Sequence, residues 1–156
     1  MAENEYRRMR NKKNLSRDEV CNIAVDNKRG PLDITRLSRI ETGKFPIHRD
    51  EVLLLADIYN EPTLCNYYCS NECEIGKLYV PKVEAQGLEK SILEIIASLN
   101  KVQKQQERLI EITADGTIDE GETRDFKQIR DELERISIAV EALQLWTEKN
   151  LGLITE

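Results

Sequence analysis

The chain has 156 residues, 33 % of them charged and 5 % aromatic, with 7 Gly, 4 Pro and a formal net charge of −6. That length suits one ordinary domain or two small ones, and the low Gly, Pro and aromatic content points to a helical protein. No apolar run approaches the ~20 residues of a membrane-spanning helix, and the opening MAENEYRRMR lacks a secretory apolar core, so the expected location is the cytoplasm, where four cysteines are thiols or metal ligands rather than disulfides.

Taken in chain order, a first helix is predicted over 5–13, with Tyr6 and Met9 inward and Asn14 in the left-handed position that ends it. Ser16 and Glu19 form a capping box, flanked by Leu15 and Val20 as a hydrophobic staple, and open a second helix over 17–25. Gly30-Pro31 breaks the pattern. Asp33 then caps a third helix over 34–42, which stops at Gly43. Ile34, Leu37 and Ile40 recur on its inner face, while Thr35, Arg36 and Arg39 lie opposite with Ser38 at the edge. Glu41 sits near the inner side, where a first-helix arginine such as Arg10 is its expected partner. A fourth helix over 49–60 carries Val52, Leu53, Leu55, Ala56, Ile58 and Tyr59, and Pro62 starts a short fifth through TLCNYYC.

Residues 76–87 read as a linker, so the head is expected to span 1–75. Two long helices follow, over 88–113 and 118–148. The first sets Ile92, Ile95, Leu99, Val102 and Leu109 at alternating three- and four-residue steps, with Gln106 as the one polar member, and the second does so with Phe126, Ile129, Leu133, Ile136, Val140 and Leu143. With a short loop between them they predict an antiparallel hairpin over 88–150, with Ile96, Ile110, Ile138 and Leu145 off its seam. The fold class is therefore all-α: a head of four to five short helices followed by a long helical hairpin, and apolar surface beyond the seam makes a homodimer the expected assembly.

The net charge is unevenly distributed. Residues 1–50 hold 12 Lys+Arg against 8 Asp+Glu, a net +4, while 51–80 carry −4 and 81–156 carry −6. A basic front on an acidic body suggests that the head meets a polyanion.

Two motifs sharpen this. Leu15-Ser16-Arg17-Asp18-Glu19 and Ser38-Arg39-Ile40-Glu41-Thr42-Gly43-Lys44 resemble the matching segments of the Cro and phage-repressor type of helix-turn-helix, the xenobiotic-response-element family of regulators. The resemblance covers about residues 5–60, and Cys21 stands at that family's small second-helix position. One departure is the turn DNKRGPL, which lengthens the link between the second and third helices. The resemblance implies a transcriptional regulator, repressor-like, binding double-stranded DNA as a homodimer. In it the helix over 34–42 enters the major groove, with base contacts from Thr35, Arg36, Ser38 and Arg39. Ser16, Arg17, Lys44 and Arg49 would contact backbone phosphates. Two other readings stand beside this one: a protein-interaction module on the same head, or a cysteine-based metal or redox sensor.

The sensor reading rests on Cys65, Cys69 and Cys73, spaced i, i+4, i+8, with Cys21 or His48 as a fourth ligand. The spacing is not the short knuckle of structural zinc sites, and packing groups are the reading adopted, with no metal or other cofactor. The loop at 111–122 partly fits a calcium loop, but Glu111 and Thr113 stand at the first and third ligand positions, so a Thr117–Glu120 capping box is preferred. No phosphate loop, nucleophile motif or paired carboxylates point to an enzyme, and no small-molecule site is evident.

Overall fold

The computed structural model describes residues 4–84 and 87–152. Among these, every regular element is helical, as expected: α1 (Glu5–Lys12), α2 (Arg17–Val25), α3 (Ile34–Glu41), α4 (Arg49–Tyr59), α5 (Thr63–Asn71), α6 (Gly76–Tyr79), α7 (Leu88–Lys104), α8 (Gln106–Thr113) and α9 (Thr123–Leu151). No helix among the described residues is long and apolar enough to cross a membrane. The chain divides into two compact units, Met1–Lys82 and Val83–Glu156.

Local chemistry sets the ends of the first unit's helices. The Asn4 side chain accepts from the Tyr6 and Arg7 N–H groups at the start of α1, and its amide donates to the Ile40 carbonyl at 3.1 Å, tying α1 to the end of α3. The Ser16–Glu19 capping box forms, with the Ser16 N–H on Glu19 at 2.7 Å. Asn14 and Asn60 take the left-handed conformation that ends α1 and α4. Inside, Tyr6, Val20, Leu37, Ile40, Leu55, Tyr59 and Leu64 are almost fully buried, each contributing about 1.5–3 kcal/mol of transfer free energy. Tyr6 meets Tyr67 edge to face at 5.9 Å, holding α5 against α1.

The lengthened turn between α2 and α3 is folded rather than loose. Asn27 Oδ1 accepts the Arg29 N–H at 3.0 Å, Gly30 adopts φ +100°, Leu32 inserts into the core and Arg29 pairs with Asp57 of α4 at 2.6 Å.

The expected linker starts too early, because 76–82 belongs to the first unit. The short α6 packs against α5, and Asn66 donates to the Pro81 carbonyl at 3.1 Å. A Cβ built on Gly76 would overlap the Cys69 carbonyl, so only glycine permits this approach. Gly76→Ala is expected to destabilise the first unit by about 1–3 kcal/mol, read as a lower melting temperature of the full chain.

The second unit is an antiparallel hairpin. Lys101 pairs with Glu132 at 3.2 Å and Arg108 with Asp125 at 2.8 Å, so as one index rises by seven the other falls by seven. The first arm is not one helix: at Gln105 (φ −103°, ψ 5°) the backbone leaves the helical conformation and separates α7 from α8. The second arm starts later than expected, after a box in which Asp119 and Glu122, not Thr117 and Glu120, exchange side-chain bonds with each other's N–H at 2.8 and 3.4 Å. The seam also differs. It buries Ser91, Ser98, Ile129, Ala139, Ala142 and Leu145, whereas Ile92, Leu99, Leu133 and Val140, expected within it, are exposed. Small residues let the helix axes approach closely, which turns the larger side chains beside them outward.

Candidate nucleic-acid interface

The site is built on α3. The Asp33 side chain accepts the Arg36 N–H at 2.9 Å and starts the helix, while Gly43 at φ +67° ends it. Leu37 and Ile40 point inward, and Ile34, expected with them, is 44 % exposed because it lies at the helix start beyond the reach of the core. Thr35 and Arg39 are exposed and Ser38 half-buried, so the outer face presents two hydroxyls and a guanidinium. Arg39 lies over the Phe45 ring at 5.2 Å. Phe45 is a half-exposed aromatic that helical periodicity does not single out; an aromatic two residues past the helix-ending glycine is the available signal.

Arg36 requires a correction. Its Nε and Nη2 donate to the two Glu51 oxygens, each at 2.6 Å, and Nη2 also donates to the Pro46 carbonyl at 2.8 Å. The guanidinium therefore faces the start of α4 and locks α3 to it, instead of pointing to base edges. Burial alone would raise the Glu51 carboxyl, but the Arg36 hydrogen bonds and the His48 N–H more than reverse that and hold it below the ordinary carboxylate range.

Glu41 has the structural role expected of it, with a second partner. Arg10 Nε and Nη2 donate to its two oxygens at 2.6 and 3.0 Å, and Arg17 Nε donates at 2.8 Å. Burial pushes this carboxyl up, yet the two arginines outweigh it and hold it low. Depressed carboxyls at Glu41 and Glu51 contribute stability that is present above their unfolded value, ordinarily 4.5, and is lost as pH falls through the folded values. A circular-dichroism titration is expected to show the melting temperature falling steadily below about pH 4.5, less steeply in Glu51→Gln.

Arg17, Ile34, Thr35, Ser38, Arg39, Thr42 and Lys44 together line an open depression of about 320 Å³. It has three cations, three hydroxyls and no carboxylate in its lining. Arg17 is only partly engaged by Glu41 and keeps a third of its side chain in solvent. The Ser16 hydroxyl accepts the Glu19 N–H at 3.2 Å and stays at the exposed start of α2. Arg49 does not line the depression; it is highly exposed, beside Asp50 at 3.6 Å, a pairing worth little at such exposure.

The chain matches no protein-family model, no curated protein and no solved structure.

Elsewhere, Cys65, Cys69 and Cys73, on or next to α5, and Cys21 on α2 are half-buried cysteines that form no disulfide. Among the described residues no three His, Cys, Asp or Glu side chains are placed to hold a metal ion. Cys73 Sγ instead accepts the Gly76 N–H at 3.5 Å, part of the α5–α6 packing. In the 111–122 loop, Asp115 accepts the Thr117 N–H at 3.0 Å, and Glu111 belongs to α8 and pairs with Arg108 at 3.2 Å.

Proposed function

We propose that the first unit binds duplex DNA as the reading head of a transcriptional regulator, with α2 and α3 forming a helix-turn-helix and α3 in the major groove. The observation that carries this is the outer face of α3: Thr35, Ser38 and Arg39 exposed or half-exposed, flanked by Arg17 and Lys44, with no carboxylate in the depression they line. An α-helix fits the major groove, where each base pair presents a distinct pattern of donors and acceptors. Arg39, steadied by Phe45, donates to guanine O6 and N7, and Thr35 and Ser38 contact neighbouring bases. Arg17, Lys44 and the Ser16 hydroxyl at the start of α2 hold phosphates, which fixes the register of α3 without reading sequence. Arg36 belongs to the scaffold, because its fork already serves Glu51.

A mobility-shift titration of the full chain on duplex DNA tests the reading. Lys44→Ala is expected to weaken binding to every sequence alike and to reduce the salt slope by about one.

A further inference from the structure

We infer that the second unit is a self-association surface, and that a second copy of this chain covers one face of its hairpin. In the pairing register fixed by Lys101–Glu132 and Arg108–Asp125, Ile92 stands within one residue of level with Val140, and Leu99 with Leu133. On a 3.6-residue helix Ile92, Ile96 and Leu99 fall on one side of the α7 seam, and Leu133 and Val140 fall on the same side of the α9 seam. All five are 37–51 % exposed, although the smaller Ser91, Ser98, Ala139 and Ala142 beside them are buried. The hairpin thus buries small residues at four seam positions, beside Ile129 and Leu145, and leaves these five aliphatic side chains outward. The other side is different in carrying charge: Glu94, Lys101 and Arg135 line a depression there, together with Ala97, Ser98 and Ile138.

The composition of the apolar face selects the occupant. Gln103, Ser137 and Gln144, which continue the same two strips, carry no charge, in a segment that holds 10 Lys+Arg and 16 Asp+Glu over 81–156. The net negative charge around the strip disfavours nucleic acid and anionic lipid, and the uncharged strip itself suits an equally apolar partner. A second copy offers that face at the same spacing, and a two-fold contact needs only one self-complementary surface. The size also fits. The 17 residues of α7 span about 26 Å, and two packed helices are about 20 Å wide. The footprint is on the order of 500 Å² in projection, comparable to the ~800 Å² of corrugated accessible surface that each partner gives to a specific interface. Pairing two such faces yields a four-helix core.

The inference stands independently of the DNA-binding reading, since sedimentation equilibrium of the full chain in buffer tests it without DNA. The expected species has twice the 18.1 kDa chain mass. The double variant Leu99→Glu/Leu133→Glu is expected to be monomeric, with dimer affinity lower by at least about 100-fold and unchanged helical circular dichroism, because both side chains are already half in solvent. Ile110→Glu, an exposed position on α8 beyond the break, is expected to leave the dimer intact. A wild-type chain that stays monomeric at about 100 μM, or a double variant that stays dimeric, overturns the inference. A monomeric wild type whose melting temperature falls in the double variant would also overturn it, because the chain would then be covering the face itself.

Discussion

Glu41→Ala is expected to cost the first unit about 3–5 kcal/mol, the penalty typical of removing one partner from a buried ion pair. In a domain of this size that lowers the melting temperature by at least roughly 12 °C. The reason is the state of what remains. Glu41 is almost fully buried and receives three guanidinium hydrogen bonds, two from Arg10 and one from Arg17. Arg17 can turn to solvent when its partner leaves, but Arg10 is 9 % exposed and would lose the carboxylate that takes two of its hydrogen bonds, while its 2.7 Å bond to the Leu15 carbonyl stays. Most of the loss comes from leaving that buried charge without the Glu41 carboxylate; the pair itself contributes far less, because both charges were removed from water to make it. The double variant Arg10→Met/Glu41→Leu is therefore expected to recover most of the loss, short of the Leu15 carbonyl left without its donor. Thermal melts of the wild type, both single variants and the double variant measure this as a coupling free energy. A Glu41→Ala loss below about 1 kcal/mol would mean that Arg10 finds water, and that the pair does not hold α1 to α3.

Arg39→Ala is expected to weaken binding to the preferred DNA site by about 1–3 kcal/mol, or roughly 5- to 150-fold, while binding to unrelated duplex changes little. The specificity ratio falls because the lost contact reads a base edge. Arg36→Ala gives the opposite pattern. Its guanidinium is fixed on Glu51 and the Pro46 carbonyl, so its removal leaves a half-buried carboxylate without its ion-pair partner and lowers stability before it changes specificity. Measuring melting temperature and site preference for both variants separates the two roles. Equal losses of specificity would return Arg36 to the base-contacting set.

These two arginines also mark how far the sequence could be read. Both lie on the polar arc of the same short helix, and local periodicity treats them alike. What separates them is tertiary: Glu51 lies 15 residues away at the start of α4, where it also accepts the His48 N–H, and no local signal places it under Arg36. Features governed by contacts three or four residues apart were legible. The Ser16–Glu19 box, the Asp33 cap, the left-handed Asn14 and the stop at Gly43 all stand where their chemistry put them. The Arg10–Glu41 pair was legible too, because a carboxylate on the inner side of a helix needs a cation. The hairpin seam was misjudged by one helical position. Periodicity weights large aliphatic residues as core, and here Ser91, Ser98, Ala139 and Ala142 allow closer helix packing than Ile92 or Leu99 would. The short α6 was not legible because its reason is the absence of a side chain at Gly76, which matters only once Cys69 lies across from it.

The most direct test is to select bound fragments from random duplex DNA with the full chain, then measure affinity for the enriched site across a salt series. Binding by Arg17, Arg39 and Lys44 predicts an enriched sequence and a linear fall of log affinity with log salt, with a slope of about −2 or steeper, since each neutralised phosphate contributes about −0.9. A pool that yields no enriched sequence, together with an affinity flat in salt, would contradict DNA binding by α3 and leave the first unit as a protein-interaction module.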